Sequence, residues 1–94
     1  MNIMSKLSTV EDIKNLIADY EYEDVVIFEN PSYANAFLGI SDCNRAIYDY
    51  DLMVESLMEE YGITDMEAIE FIEYNTIRSL PYYENAPIIL YSLR

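Results

Sequence analysis

The sequence has no histidine, one cysteine and two glycines, and its five basic residues stand against eighteen acids. Each shortage removes a class of chemistry. Without histidine, Ser-His-Asp and Cys-His catalysis within the chain are excluded, as are the usual His-containing metal sites. A lone Cys43 forms neither an internal disulfide nor a zinc or iron–sulfur centre in one chain; it reads as a turn residue in a reducing compartment. Neither Gly39 nor Gly62 opens a phosphate-binding loop pattern. The shortage of Lys and Arg argues against direct contact with DNA, RNA or anionic lipid, because displacing counterions takes positive side chains. No apolar run approaches the ~20 residues of a membrane-spanning helix. The start, Met1 to Lys6, leads straight into a polar helix, and no secretory signal is expected. Asp49-Tyr50-Asp51 is the closest local carboxylate pair, but it lacks the glycine and trailing glutamate of a calcium loop and reads as a helix cap. A protein with no catalytic role, no cofactor and no metal is the expectation.

What is present is an apolar share of 52% and ten tyrosines, enough to build a packed core despite a net charge of −13. One domain over residues 1–94 is expected, with residues 1–7 as a flexible start. A chain of this length is stabilised by only roughly 5–10 kcal/mol. Self-repulsion works against that total, and the charge makes cationic surfaces the natural partners.

Taken in order, Ser8-Thr9-Val10-Glu11 is a capping box with Ser8 as the cap, opening a helix whose face is Val10, Ile13, Leu16, Ile17 and Tyr20. Residues 24–28 (Asp-Val-Val-Ile-Phe) read as a short buried strand, ended by Pro31. Residues 36–40 and 45–49 flank Ser41-Asp42-Cys43-Asn44 as a hairpin, with Gly39 marking a bulge or close contact. Asp49 or Asp51 then caps a helix at residues 52–61, which Gly62 stops. Thr64-Asp65-Met66-Glu67 is a second capping box for a helix running to about Ser79, with Pro81 beyond it. Residues 88–91 make a last apolar strand. The order α-β-β-β-α-α-β groups its elements rather than alternating them, so the expected class is α+β, with helices packed on a small, mostly antiparallel sheet. Tyr20, Tyr48 and Tyr61 occupy positions that favour burial. Tyr22, Tyr33, Tyr50, Tyr74, Tyr82 and Tyr83 are not placed by pattern alone.

The charge is concentrated. Nine carboxylates lie between Asp49 and Glu73, and no Lys or Arg occurs from residue 46 to residue 77. Glu55, Glu59 and Glu60 mark the outer face of one helix, and Glu67, Glu70 and Glu73 form a stripe on the next. Side chains three and four apart on a helix sit ~5–6 Å from each other, an order-of-magnitude match to the phosphate spacing of a nucleic acid. A solvated exterior would normally intersperse Lys with Glu. Two readings stand: a surface that occupies a partner's basic groove, with Tyr74 on its acidic side as an anchor, or solubility around an unrelated interaction, including a homodimer. Asn75-Thr76-Ile77-Arg78 also stands out. Asn75 and Thr76 are mediocre helix formers that read as bonding neighbouring backbone, with Arg78 complementing the helix end and pairing with an acid.

The run Arg45-Ala46-Ile47-Tyr48-Asp49-Tyr50-Asp51-Leu52-Met53-Val54-Glu55, followed by residues 67–82 with Tyr74-Asn75-Thr76-Ile77-Arg78 as the most specific piece, resembles small acidic proteins encoded by phages and prophages. The resemblance covers roughly residues 35–91 and transfers no catalytic site. It implies the cytoplasm of an infected or lysogenic bacterial host as the setting. Small acidic phage proteins include inhibitors of host defence nucleases, among them anti-CRISPR proteins and restriction-enzyme decoys, and the resemblance therefore points the same way as the charge.

Overall fold

The computed structural model describes residues 9–93; the expected start at residues 1–7 lies outside the described residues, and the cap of the first helix is Thr9 rather than the expected Ser8. Helix α1 spans Val10–Asp19, and Thr9 caps it by accepting the Asp12 N–H at 3.1 Å. Ile13 is buried on its inner face, with Leu16 and Ile17 half-buried beside it.

The apolar run at residues 24–28 differs from the expected strand. It forms no ladder with another strand among the described residues. Asp24 takes a left-handed conformation (φ 62°) at its start, and Val25, Ile27 and Phe28 pack on the core from an irregular path. Packing satisfies their apolar surface without pairing. The Phe28 N–H is instead donated to the Tyr48 hydroxyl at 3.2 Å.

A 3-10 turn, Ala34–Ala36, leads into the hairpin of β1, Phe37–Ile40, and β2, Ala46–Asp49. These strands are antiparallel, with an irregularity in register between Phe37 and Gly39, where Gly39 adopts φ 156°. That is the expected bulge. Helix α2, Tyr50–Tyr61, starts directly from β2, because the Asp49 carboxylate accepts the Leu52 N–H at 2.9 Å while its other oxygen accepts from Ser92 Oγ at 2.7 Å. Gly62 ends it at φ 63°, where a residue with a Cβ would be strained.

Helix α3, Asp65–Phe71, carries the reciprocal capping box between Thr64 and Glu67. It is shorter than expected. Residues Ile72–Thr76 widen into a π-helical turn, and Ile77–Tyr82 tighten into 3-10 geometry that accommodates Pro81. Strand β3, Ile88–Leu90, then pairs parallel with β2. The described sheet therefore has the order β1-β2-β3 and is mixed, one pair antiparallel and one parallel, rather than mostly antiparallel. The reason is that two helices intervene between β2 and β3, a connection long enough to return the chain to the same end of the sheet. The α+β class of a single small domain holds.

The core joins Tyr33, Tyr48, Met53, Leu57 and Ile72 over the small residues Ala36, Ala46 and Ala68. Of the three tyrosines expected inside, Tyr48 is fully buried, but Tyr20 and Tyr61 are 71% and 52% exposed. Both stand at the last turn or cap of their helices, past the elements that would cover them. Tyr33 takes a buried place instead, from a left-handed backbone (φ 49°, ψ 33°). Such a conformation costs roughly 1–2 kcal/mol for a bulky residue. Burial of the ring, and a 2.6 Å hydrogen bond between its hydroxyl and Thr76 Oγ1, offset that cost.

Candidate functional site

Two features of the surface qualify, and they are built differently. The first is the acidic exterior of α2 and α3. Glu55, Glu59, Glu60, Glu67, Glu70 and Glu73 are all exposed, and Tyr74 is 66% exposed. None of the six carboxylates is paired with Lys or Arg among the described residues, where Lys14 and Glu29 make an ion pair at 3.7 Å. The six are not equivalent. Glu67 holds the start of α3, accepting the Thr64 N–H at 2.9 Å. Glu73 sits in the π-helical turn and accepts from the Tyr50 hydroxyl at 3.1 Å, while the Tyr50 ring stacks at a tilt on Tyr91, 4.9 Å between centroids. Burial, together with the hydrogen bond and charge of Glu73, pushes the Tyr50 hydroxyl up to about 12. Glu59 and Glu60 flank a shallow depression beside the Ala34–Ala36 turn. Glu55, Glu59, Glu60 and Glu70 make no hydrogen bond or ion pair among the described residues, and so are the carboxylates with no structural duty.

This division predicts a contrast. Glu67→Lys removes a reciprocal cap and places a cation at a helix N-terminus, and is expected to lower stability by about 1 kcal/mol. Glu70→Lys, three residues on, is expected to leave stability unchanged or slightly raised, since it relieves like-charge repulsion. Thermal melting of the two variants side by side measures the difference.

The second feature is a cleft of about 540 Å³, lined by residues 26–31 and by Phe71, Asn75, Thr76 and Ser79, with Tyr83 and Pro87 also in its lining. Its volume falls in the range of ligand-binding clefts. The π-helical turn builds one wall, and such turns recur at functional positions because they redirect side chains out of helical phase. The hydrogen-bonded Tyr33–Thr76 pair belongs to its lining, with Phe28 edge-on to Tyr33 at 5.4 Å. Burial raises the Tyr33 hydroxyl above its ordinary range. Asn75 bonds its own helix as expected, Nδ2 donating to the Phe71 carbonyl at 3.2 Å. Thr76 differs. Its hydroxyl meets a tyrosine forty-three residues away rather than neighbouring backbone. Arg78 is exposed with no acid partner among the described residues, so the expected pairing does not form. Sequence reasoning singled out Asn75 and Thr76 but placed no cleft there, because the facing wall comes from residues 26–31, remote in the chain.

Among the described residues no group of three or more Cys, Asp or Glu side chains is gathered to hold a metal ion. No described helix is long and apolar enough to cross a membrane. No family model, curated protein or solved structure matches this chain.

Proposed function

We propose that this protein is a non-enzymatic inhibitor that lays an acidic surface into the basic groove of a nucleic-acid-binding protein. The setting is that of a phage or prophage product acting in the bacterial cytoplasm on a host defence factor such as a CRISPR nuclease or restriction enzyme. One observation carries the reading: Glu55, Glu59, Glu60 and Glu70 are exposed and unpaired among the described residues, within a stretch free of Lys and Arg. Like charges on one helix cost a few tenths of a kcal/mol per pair when nothing offsets them. A partner's Lys and Arg would offset them on binding, exclude DNA or RNA from the same groove, and speed encounter by electrostatic steering. Tyr74, whose ring is exposed, would add a ring contact to such an interface.

The test is a triple reversal, Glu55→Lys with Glu59→Lys and Glu70→Lys, assayed against purified CRISPR and restriction nucleases by DNA cleavage. The wild-type chain is expected to inhibit one of them at about 50 mM salt and far less at about 200 mM, since this is competition for phosphate-binding cations. The triple variant is expected to lose inhibition while keeping its melting temperature. Inhibition that survives both salt and charge reversal would refute the reading.

A second reading, an accessory module acting as a homodimer, draws on a different observation. Residues 85–93 carry no charge in a chain of net −13, and within them Leu90, Tyr91 and Leu93 are exposed at the β3 edge. An uncharged edge strand is the place where two such chains meet with least repulsion. Light scattering distinguishes the readings: a dimer that Leu90→Lys converts to monomer supports this one.

A further inference from the structure

We propose that the cleft between residues 26–31 and the π-helical turn binds an arginine side chain presented by an extended segment of a partner protein. Three polar side chains of its lining, Asn75, Ser79 and Glu29, carry acceptor atoms. Asn75 aims its amide nitrogen at the Phe71 carbonyl, which turns Oδ1 the opposite way. Ser79 donates its hydroxyl hydrogen to the Thr76 carbonyl at 2.7 Å and keeps its lone pairs. No Lys or Arg lines the space, whereas Glu29 does, its carboxylate held only loosely by Lys14 at 3.7 Å in a largely exposed pair. Phe71 and Tyr83 expose ring surface beside these acceptors. A guanidinium is the group that suits all of this: it is planar, permanently cationic, made only of donors, and stacks on aromatic faces. An anion would meet no Lys or Arg among the residues that line it.

The extended segment follows from the other wall. Residues 25–29 make no backbone–backbone hydrogen bond to another element among the described residues, although their side chains are anchored on the core. Apart from the Phe28 N–H, which the Tyr48 hydroxyl already accepts, main-chain groups on this anchored but unladdered segment can pair with an added strand, and the side chains of such a strand alternate into a neighbouring pocket. The inference rests on the proposed function only in taking the partner to be a basic protein.

The test titrates the isotope-labelled full chain with the capped pentapeptide Thr-Val-Arg-Val-Thr and follows amide shifts by NMR. Shifts are expected at Phe71, Asn75, Ser79 and along residues 26–29. Replacing the arginine by citrulline, which keeps its shape but not its charge, is expected to weaken binding at least tenfold, the scale of one charge-assisted hydrogen bond of about 1.5–3 kcal/mol. Asn75→Leu, at an exposed position, is expected to weaken it about tenfold with an unchanged melting temperature. Capped arginine alone should bind more weakly than the pentapeptide. Equal binding of arginine and citrulline peptides, shifts confined to the glutamate face of α2 and α3, or capped arginine matching the pentapeptide would each overturn the proposal. The triple glutamate reversal should still bind the pentapeptide at the cleft. If it does so while nuclease inhibition proves insensitive to charge, the acidic-face reading fails alone. If reversal abolishes inhibition but the pentapeptide does not bind, the cleft proposal fails alone.

Discussion

Tyr48→Ala is expected to destabilise the protein by about 3–5 kcal/mol, as large-to-small changes at fully buried aromatic positions do. For a domain of this length that is a large part of the total. Tyr48 is 0% exposed, and its ring meets Phe28 at 4.8 Å and Phe37 at 5.6 Å between centroids. It therefore ties β2 both to β1 and to the unladdered segment that forms one wall of the cleft. Tyr48→Phe keeps the ring and removes the hydroxyl that accepts the Phe28 N–H. Its expected cost is about 1–2 kcal/mol, the penalty of leaving a part-buried donor unmet. Tyr74→Ala, at an exposed ring with no core contact, should stay within about 0.5 kcal/mol of wild type. Urea denaturation of the three variants orders them; a Tyr48→Ala midpoint close to that of Tyr74→Ala would contradict the packing described here.

Local signals in this chain were readable where local chemistry decides the outcome. Thr64 and Glu67 form their capping box because both partners lie within one turn, and Gly62 stops α2 because its left-handed conformation is a property of that residue alone. The hairpin about Ser41 to Asn44 and the irregularity at Gly39 belong to the same group. Where distant contacts decide, pattern failed. An apolar run such as residues 24–28 states that it is covered but not by what, and core side chains rather than a neighbouring strand cover it. The parallel pairing of β3 depends on how far α2 and α3 carry the chain, which no property of residues 88–90 encodes. Helical phase was extrapolated past Phe71, so the stripe of Glu67, Glu70 and Glu73 was expected to run on evenly; the π-helical turn changes the phase at Glu73, which bonds to Tyr50. The exposed glutamates were legible as candidates because charge is a composition signal. The cleft was not, since its defining contact joins Tyr33 to Thr76 across the whole middle of the chain.

Alkaline pH should destabilise the folded chain by roughly 2–3 kcal/mol or more, and the sign follows from the tyrosines. Burial pushes the Tyr48 hydroxyl from 10.0 up to about 12, and the Tyr50 hydroxyl rises as far, through burial and the carboxylate of Glu73. In the unfolded chain each releases its proton near the ordinary value, while the folded chain keeps it. Stability from this source is therefore complete below pH 10 and is lost as the pH rises through 12, at about 1.4 kcal/mol per pH unit for one buried group. Tyr48, enclosed on all sides, contributes roughly 2–3 kcal/mol across that window. Tyr50 contributes less than its shift implies, because it lies at the solvent boundary where water screens its interaction with Glu73. Urea midpoints measured from about pH 8 upward should hold level to pH 10 and then fall steeply. Tyr48→Phe, weaker at neutral pH, should fall less steeply over the same interval, because the group responsible for the steepest part is gone. Tyrosinate absorbance adds an independent reading: the Tyr48 hydroxyl, raised by burial, should ionise only with the unfolding step. A wild-type midpoint unchanged between pH 10 and 12 would mean that the Tyr48 hydroxyl is wet, and that the segment it anchors at Phe28 is not held as described.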